Sequence, residues 1–237
     1  MGSLLTAALA RAQGFLLEPA ERPPAVNAAA APAVPLQLVT ATPLQTAVTG
    51  LSRGAGASTV AAGLALALFA PGVRPAHLIS LAPGDGAPRR NLGPVVRWEL
   101  PPALRDADEL ADYGATLARL AGARGGAAVV WDVPADELRR AAGVVGGCDA
   151  LVCVADGAAE PVLCGLVRDM LARRHGRVVL AANRVREPDP WAGHCAVAIA
   201  ESRLGTVLIG RGRLPGGGVG EAFGRLAALV AEQPGGA

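Results

Sequence analysis

The chain has 237 residues, 51% of them hydrophobic but only 3% aromatic, and a formal net charge of +2. That length suits one domain plus a tail, with a core of Ala, Val and Leu that needs no disulfide or metal staple. A balance so near neutral excludes nucleic acid or a membrane as an obligatory, charge-driven partner, and because all 22 basic residues are arginine, any mechanism needing a lysine ammonium is excluded too.

Residues 1 to about 18 are expected to form a short helix with Leu5, Leu9 and Leu16 near one face. From Glu18 to Pro43 six prolines and almost no charge predict a semi-extended linker. The division expected is therefore 1–44 as helix and linker, and 45–237 as the folded domain. After the linker the pattern alternates as βαβ units do. Strands are expected at Thr46–Thr49, His77–Leu81, Val95–Leu100, Ala127–Val133, Leu151–Ala155, Val178–Ala182 and Val207–Ile209. Helices are expected at Ser58–Phe69, from Pro102 to about Ala121, at Asp136–Val145, at Pro161–Arg174, near Ala196–Arg203 and at Val219–Glu232. Apolar strands alternating with helices predict an α/β fold with a doubly wound, mostly parallel sheet in a three-layer sandwich.

The four cysteines (Cys148, Cys153, Cys164, Cys195) form no CxxC pair and no zinc-spaced cluster, so they read as buried thiols in a reducing compartment. The longest apolar run, Val60–Ala70, is too short to cross a bilayer. The first residues lack the basic start of a signal peptide. A cytoplasmic location follows, with membrane contact at most peripheral, on the inner face. The acidic set Asp106, Asp108, Glu109 and Asp112 reads as a solvated helix face, and no histidine has the partners of a catalytic triad.

One segment carries chemistry. VTGLSRGAGAST (Val48–Thr59) joins a strand to a helix through a glycine-rich turn. Such a turn aims backbone N–H groups at an anion, and the helix dipole adds roughly half a positive charge. Gly54 and Gly56 permit the turn, and Ser58 and Thr59 bring hydroxyls to the helix start. The P-loop pattern GxxxxGKS or GxxxxGKT places lysine after its last glycine, to reach the β- and γ-phosphates. Here that place is Ala57, and the first glycine of the pattern is Leu51.

At Val48–Thr59 the sequence resembles, without a gap, the VTSGKGGVGKTT loop of the MinD/ParA family of P-loop NTPases (SIMIBI class). Further segments follow in family order over roughly residues 45–232. WDVPA (Trp131–Ala135) resembles the switch II segment, with Asp132 at the acidic position near magnesium. Cys148–Val152 resembles the ADxVLVV strand. Asn183, in AANRV, matches the asparagine that reads the adenine edge. LGTVLIGRGRLP (Leu204–Pro215) resembles the LGxxxLGxIP strand and loop beside the base. The loop is most similar to the GxGAST form of CpaE/TadZ-like pilus-assembly proteins, through Gly54-Ala55-Gly56-Ala57-Ser58-Thr59.

The departures cluster. The signature lysine of the family falls at Ser52, the P-loop lysine at Ala57, and the acidic DxD pair after the second strand at Ser80 and Ala82, with Asp85 nearby. The resemblance implies ATP or ADP with magnesium as a weak ligand, held by Gly54, Gly56, Ala57, Ser58, Thr59, Asp132 and Asn183, with Ser58 and Asp132 toward the metal. It implies a homodimer that docks a protein partner of an assembly or positioning system (a pilus, secretion or division machine), with no specific nucleic acid. No catalytic residue is assigned, because hydrolysis needs cations on the transferred phosphoryl group. The alternative is an active ATPase in which Arg53 replaces the lysine. A P-loop-derived biosynthetic ligase ranks last, since such enzymes keep that lysine.

Overall fold

The computed structural model describes residues 43–70, 74–81, 92–100, 106–122 and 127–232. The expectations for the first helix and its linker, for Pro102 and for Ala82 and Asp85 lie outside these residues.

Seven strands form one sheet in the order β3-β2-β4-β1-β5-β6-β7. They are β1 (Leu44–Gly50), β2 (Ala76–Ser80), β3 (Val96–Glu99), β4 (Ala128–Val133), β5 (Ala150–Asp156), β6 (Val178–Val185) and β7 (Val197–Ala200). Every pairing is parallel. The helices are α1 (Ala57–Leu68), α2 (Ala107–Gly122), α3 (Ala142–Gly146), α4 (Pro161–Ala172), α5 (Arg203–Gly210) and α6 (Gly217–Ala231). The chain is therefore the expected α/β sandwich.

The period-2 geometry of the strands separates two cores. Val48, Leu78, Val130, Val152, Ala181 and Ile199 face α1, α5 and α6. Ala47, Ile79, Trp131, Leu151, Cys153 and Leu180 face α2, α3 and α4. The few aromatic rings need room that small neighbours provide. A methyl group at Gly63 would lie 2.3 Å from the Phe223 ring, and one at Gly114 would lie 3.2 Å from Trp131. Glycine on α1 thus seats α6, and glycine on α2 lets it approach the sheet. Burial pushes the Cys148 and Cys153 thiols up to about 12, and all four cysteines are free thiols.

Three expected elements differ. The helix expected at Asp136–Val145 is confined to α3, and residues 135–141 coil through turns such as Glu137 N–H to Pro134 O. Near the end of the sheet the expected order is reversed. Residues near Ala196–Arg203 supply strand β7, and Val207–Ile209 lies within helix α5. The reason for the latter is a capping residue. The Ser202 side chain accepts from the Gly205 N–H at 2.9 Å and starts the helix. Val207, 49% exposed, sits on the outer face of that helix, where a β-branched side chain packs against nothing that would favour a strand. Among the described residues no helix is long and apolar enough to cross a membrane.

Candidate functional site

β1 is central, flanked by β4 and β5, and its carboxyl end is where ligands bind in doubly wound sheets. The turn 51–56 leaves β1 there and enters α1 at Ala57. Gly54 and Gly56 both hold positive φ, +79° and +84°, which an L side chain rarely adopts. The expectation that these two glycines make the turn is met. The first turn of α1 has no side-chain cap; the Thr59 N–H donates to Gly56 O at 3.0 Å, which leaves the Ala57 and Ser58 N–H groups at the loop.

The register Val48↔Asp132 sets the switch-like aspartate beside the turn. Asp132 is 2% exposed. Its Oδ1 accepts from Ser58 Oγ at 3.1 Å, and its Oδ2 accepts from Ser80 Oγ at 3.2 Å. Ser58 and Asp132 are therefore together, as expected. Ser80 supplies a hydroxyl donor to a carboxylate that an aspartate at the same place would repel.

The far wall of the loop comes from β6. Asn183 Nδ2 donates to Ala55 O at 3.0 Å, and a methyl group at Gly56 would lie 2.2 Å from that nitrogen. Arg184, which sequence reasoning passed over, donates to Gly54 O and forms an ion pair with Asp156. Neighbouring strand residues normally point to opposite faces. Arg184 escapes this by adopting φ 61° at an irregularity in the β6–β7 register, between Asn183 and Val185. The bulge lets two consecutive side chains grip two consecutive loop carbonyls. Left-handed backbone at arginine costs about 1 kcal/mol or more, and nothing in the sequence announces it.

Beside the loop lies a cavity of about 240 Å³ lined by Gly56, Thr59, Asn183, Ile199, Gly205, Thr206, Ile209, Val219 and Phe223, among others. From the segment Leu204–Pro215, Gly205, Thr206 and Ile209 line this cavity, through α5 rather than the expected strand. Its apolar walls with a few polar groups suit a planar base. The chemistry of the donors also fits the implied group. Backbone N–H groups and a helix start suit phosphate, and the Ser58 hydroxyl and Asp132 carboxylate are hard oxygen donors suited to magnesium.

Cationic side chains do not fit in the same way. Arg53 Nη2 lies 3.0 Å from Asp136, with the two side chains 88% and 56% exposed, and Arg53 holds the Asp136 carboxyl below its ordinary value. Arg184 is held by Gly54 O and Asp156. The acidic residues Asp106, Asp108, Glu109 and Asp112 are exposed, as a solvated face would be.

The arrangement defines a P-loop-type α/β nucleotide fold. No family model and no curated protein matches the sequence. Solved structures do match. A ParA family ATPase from Chlorobium tepidum TLS superposes with a TM-score of 0.58 at 14% identity, covering 79% of this chain and 98% of that one. A septum site-determining MinD complexed with Mg-ADP, from Pyrococcus horikoshii OT3, gives 0.56 at 16%, covering 81% and 97%. A MinC:MinD cell division complex from Aquifex aeolicus gives 0.53 at 16%, covering 78% and 94%. The chain has the MinD/ParA fold.

Proposed function

We propose that the protein binds adenine nucleotide weakly and hydrolyses it slowly or not at all. In this reading it acts by nucleotide-modulated or constitutive dimerisation and by docking a protein partner, as a localisation or assembly factor. One observation carries the reading. The loop, Ser58, Asp132 and Asn183 stand assembled, while lysine is absent from the whole chain. The CpaE/TadZ-like form of the loop favours a pilus or secretion machine as the partner system.

In this reading the N–H groups of Gly54, Gly56, Ala57 and Ser58 hold the phosphates, those of Ala55 and Thr59 being bonded to Ser52 O and Gly56 O. Ser58 and Asp132 hold the metal, and the cavity beside Asn183 takes the base. Magnesium supplies charge neutralisation between the phosphates when bound. The chain has no lysine to stabilise charge developing on the γ-phosphoryl group, and one such contact is worth about 3 kcal/mol. Arg53 is a poor replacement, because it lies four residues before the lysine position and its side chain, 88% exposed, points to Asp136.

Turnover of ATP by the wild type and by Arg53→Ala tests this. The expected result is background hydrolysis in both. Turnover that Arg53→Ala abolishes would establish the arginine as the working cation and overturn the proposal.

A further inference from the structure

Helix α4 is apolar on both of its sides. Cys164 joins the core under the sheet. On the other side Val162, Leu163, Leu166, Val167 and Met170 are 50, 61, 56, 41 and 67% exposed. The spacing 162–166–170 and 163–167 puts all five on one stripe. Arg168 and Asp169, ion-paired with each other, lie on the remaining flank, and an exposed apolar stripe of this kind marks a surface for another molecule.

The charges at its ends say which. Glu160 is exposed just before the first turn, and Arg173 and Arg174 are exposed just after the last. Among the described residues none of the three side chains is in an ion pair. The stripe is centred on Leu166 and Val167. Laid against itself in reverse, the helix brings the point between Leu166 and Val167 to the two-fold axis, with Leu163 opposite Met170 and Glu160 opposite Arg173. Glu160 then meets the arginine end of the other copy, twice over. Antiparallel helix dipoles add to the match, whereas a parallel pair would set arginine against arginine.

We infer that α4 is an isologous self-association face, on which a second copy of this chain packs antiparallel. The helix is about 18 Å long and offers on the order of 300 Å² of apolar surface per copy. A stable dimer brings about 800 Å² per partner, so the pairing is weak and concentration-dependent. It uses none of the residues of the phosphate loop and stands whether or not nucleotide binds.

Sedimentation equilibrium of the full chain without nucleotide tests it. A monomer–dimer equilibrium is expected for the wild type, weakened at least tenfold by Leu166→Glu. Glu160→Arg and Arg173→Glu should each weaken it several-fold, and the two combined should restore it, because reversing both partners re-creates the pair. All three positions are exposed, so melting temperatures should fall by no more than about 4 °C per charge reversal, as opposing the helix dipole requires, and exclude misfolding. A monomer at every concentration would overturn the inference and leave the face to a different protein or a lipid surface. A dimer indifferent to Leu166→Glu, or charge reversals whose losses add instead of cancelling, would overturn it equally.

Discussion

Ser80→Asp is expected to lower the melting temperature by roughly 6–12 °C in the absence of divalent cation. The substitution places at position 80 the acid of the MinD/ParA pattern after β2, yet here it should damage the protein. Ser80 is 4% exposed and Asp132 2% exposed, with the Ser80 hydroxyl 3.2 Å from a carboxylate oxygen. An aspartate would set two buried carboxylates against each other and remove a donor. An uncompensated buried charge costs about 3 kcal/mol or more, and for a chain this long each kcal/mol moves the midpoint by about 2–4 °C. Magnesium should recover part of the loss, since a divalent cation between two carboxylates removes their repulsion. Ser80→Ala separates the effects, because it loses only the hydrogen bond, about 1 kcal/mol. Thermal denaturation with and without magnesium reads all of this. An unchanged midpoint in Ser80→Asp would mean that Asp132 is not confined as described.

Gly56→Ala is expected to cost roughly 2–3 kcal/mol and to abolish nucleotide binding. Two penalties combine. The φ of +84° is strained for alanine by about 1–2 kcal/mol. The new methyl would also lie 2.2 Å from Asn183 Nδ2, displacing the amide from Ala55 O for about 1 kcal/mol more. Gly54→Ala is the informative control. Its φ of +79° carries the same strain, but no atom lies within 4 Å of the added methyl. Denaturant unfolding should therefore rank Gly56→Ala as the more destabilised. Adding Asn183→Ala should relieve Gly56→Ala in part, giving a non-additive double-mutant cycle. Equal costs for both glycines would show that Asn183 does not brace the loop.

Much of this site is written locally. A strand, two glycines, two hydroxyl residues and a helix follow one another in Val48–Thr59, and local order is what sequence reading detects. Asp132 and Asn183 are distant in sequence, and only the family order of their segments pointed to them; the register of β4 and β6 against the loop places them. Arg184 was invisible, because its role depends on a bulge that tertiary structure imposes on a sequence with no glycine there. The interchange of β7 and α5 has a similar origin. Val207, Leu208 and Ile209 have strand propensity, but the Ser202 cap and the burial of Ile209 under α6 override it. The apolar face of α4 was also hidden, since PVLCGLVRDMLA reads as an ordinary core helix until the structure exposes half of it.

We propose that the loop keeps a backbone cradle for phosphate and lacks a charged grip on the terminal one. Titration calorimetry of the wild-type chain with ADP and with ATP, each with and without magnesium, tests it most directly. Without a cation on the γ-phosphate, ATP and ADP should bind within about threefold of each other, since a hydrogen bond to a charged group contributes about 1.5–3 kcal/mol and that contact is missing. Magnesium should strengthen both through Ser58 and Asp132. Preference for ATP by a hundredfold, or no binding of either nucleotide, would contradict the account.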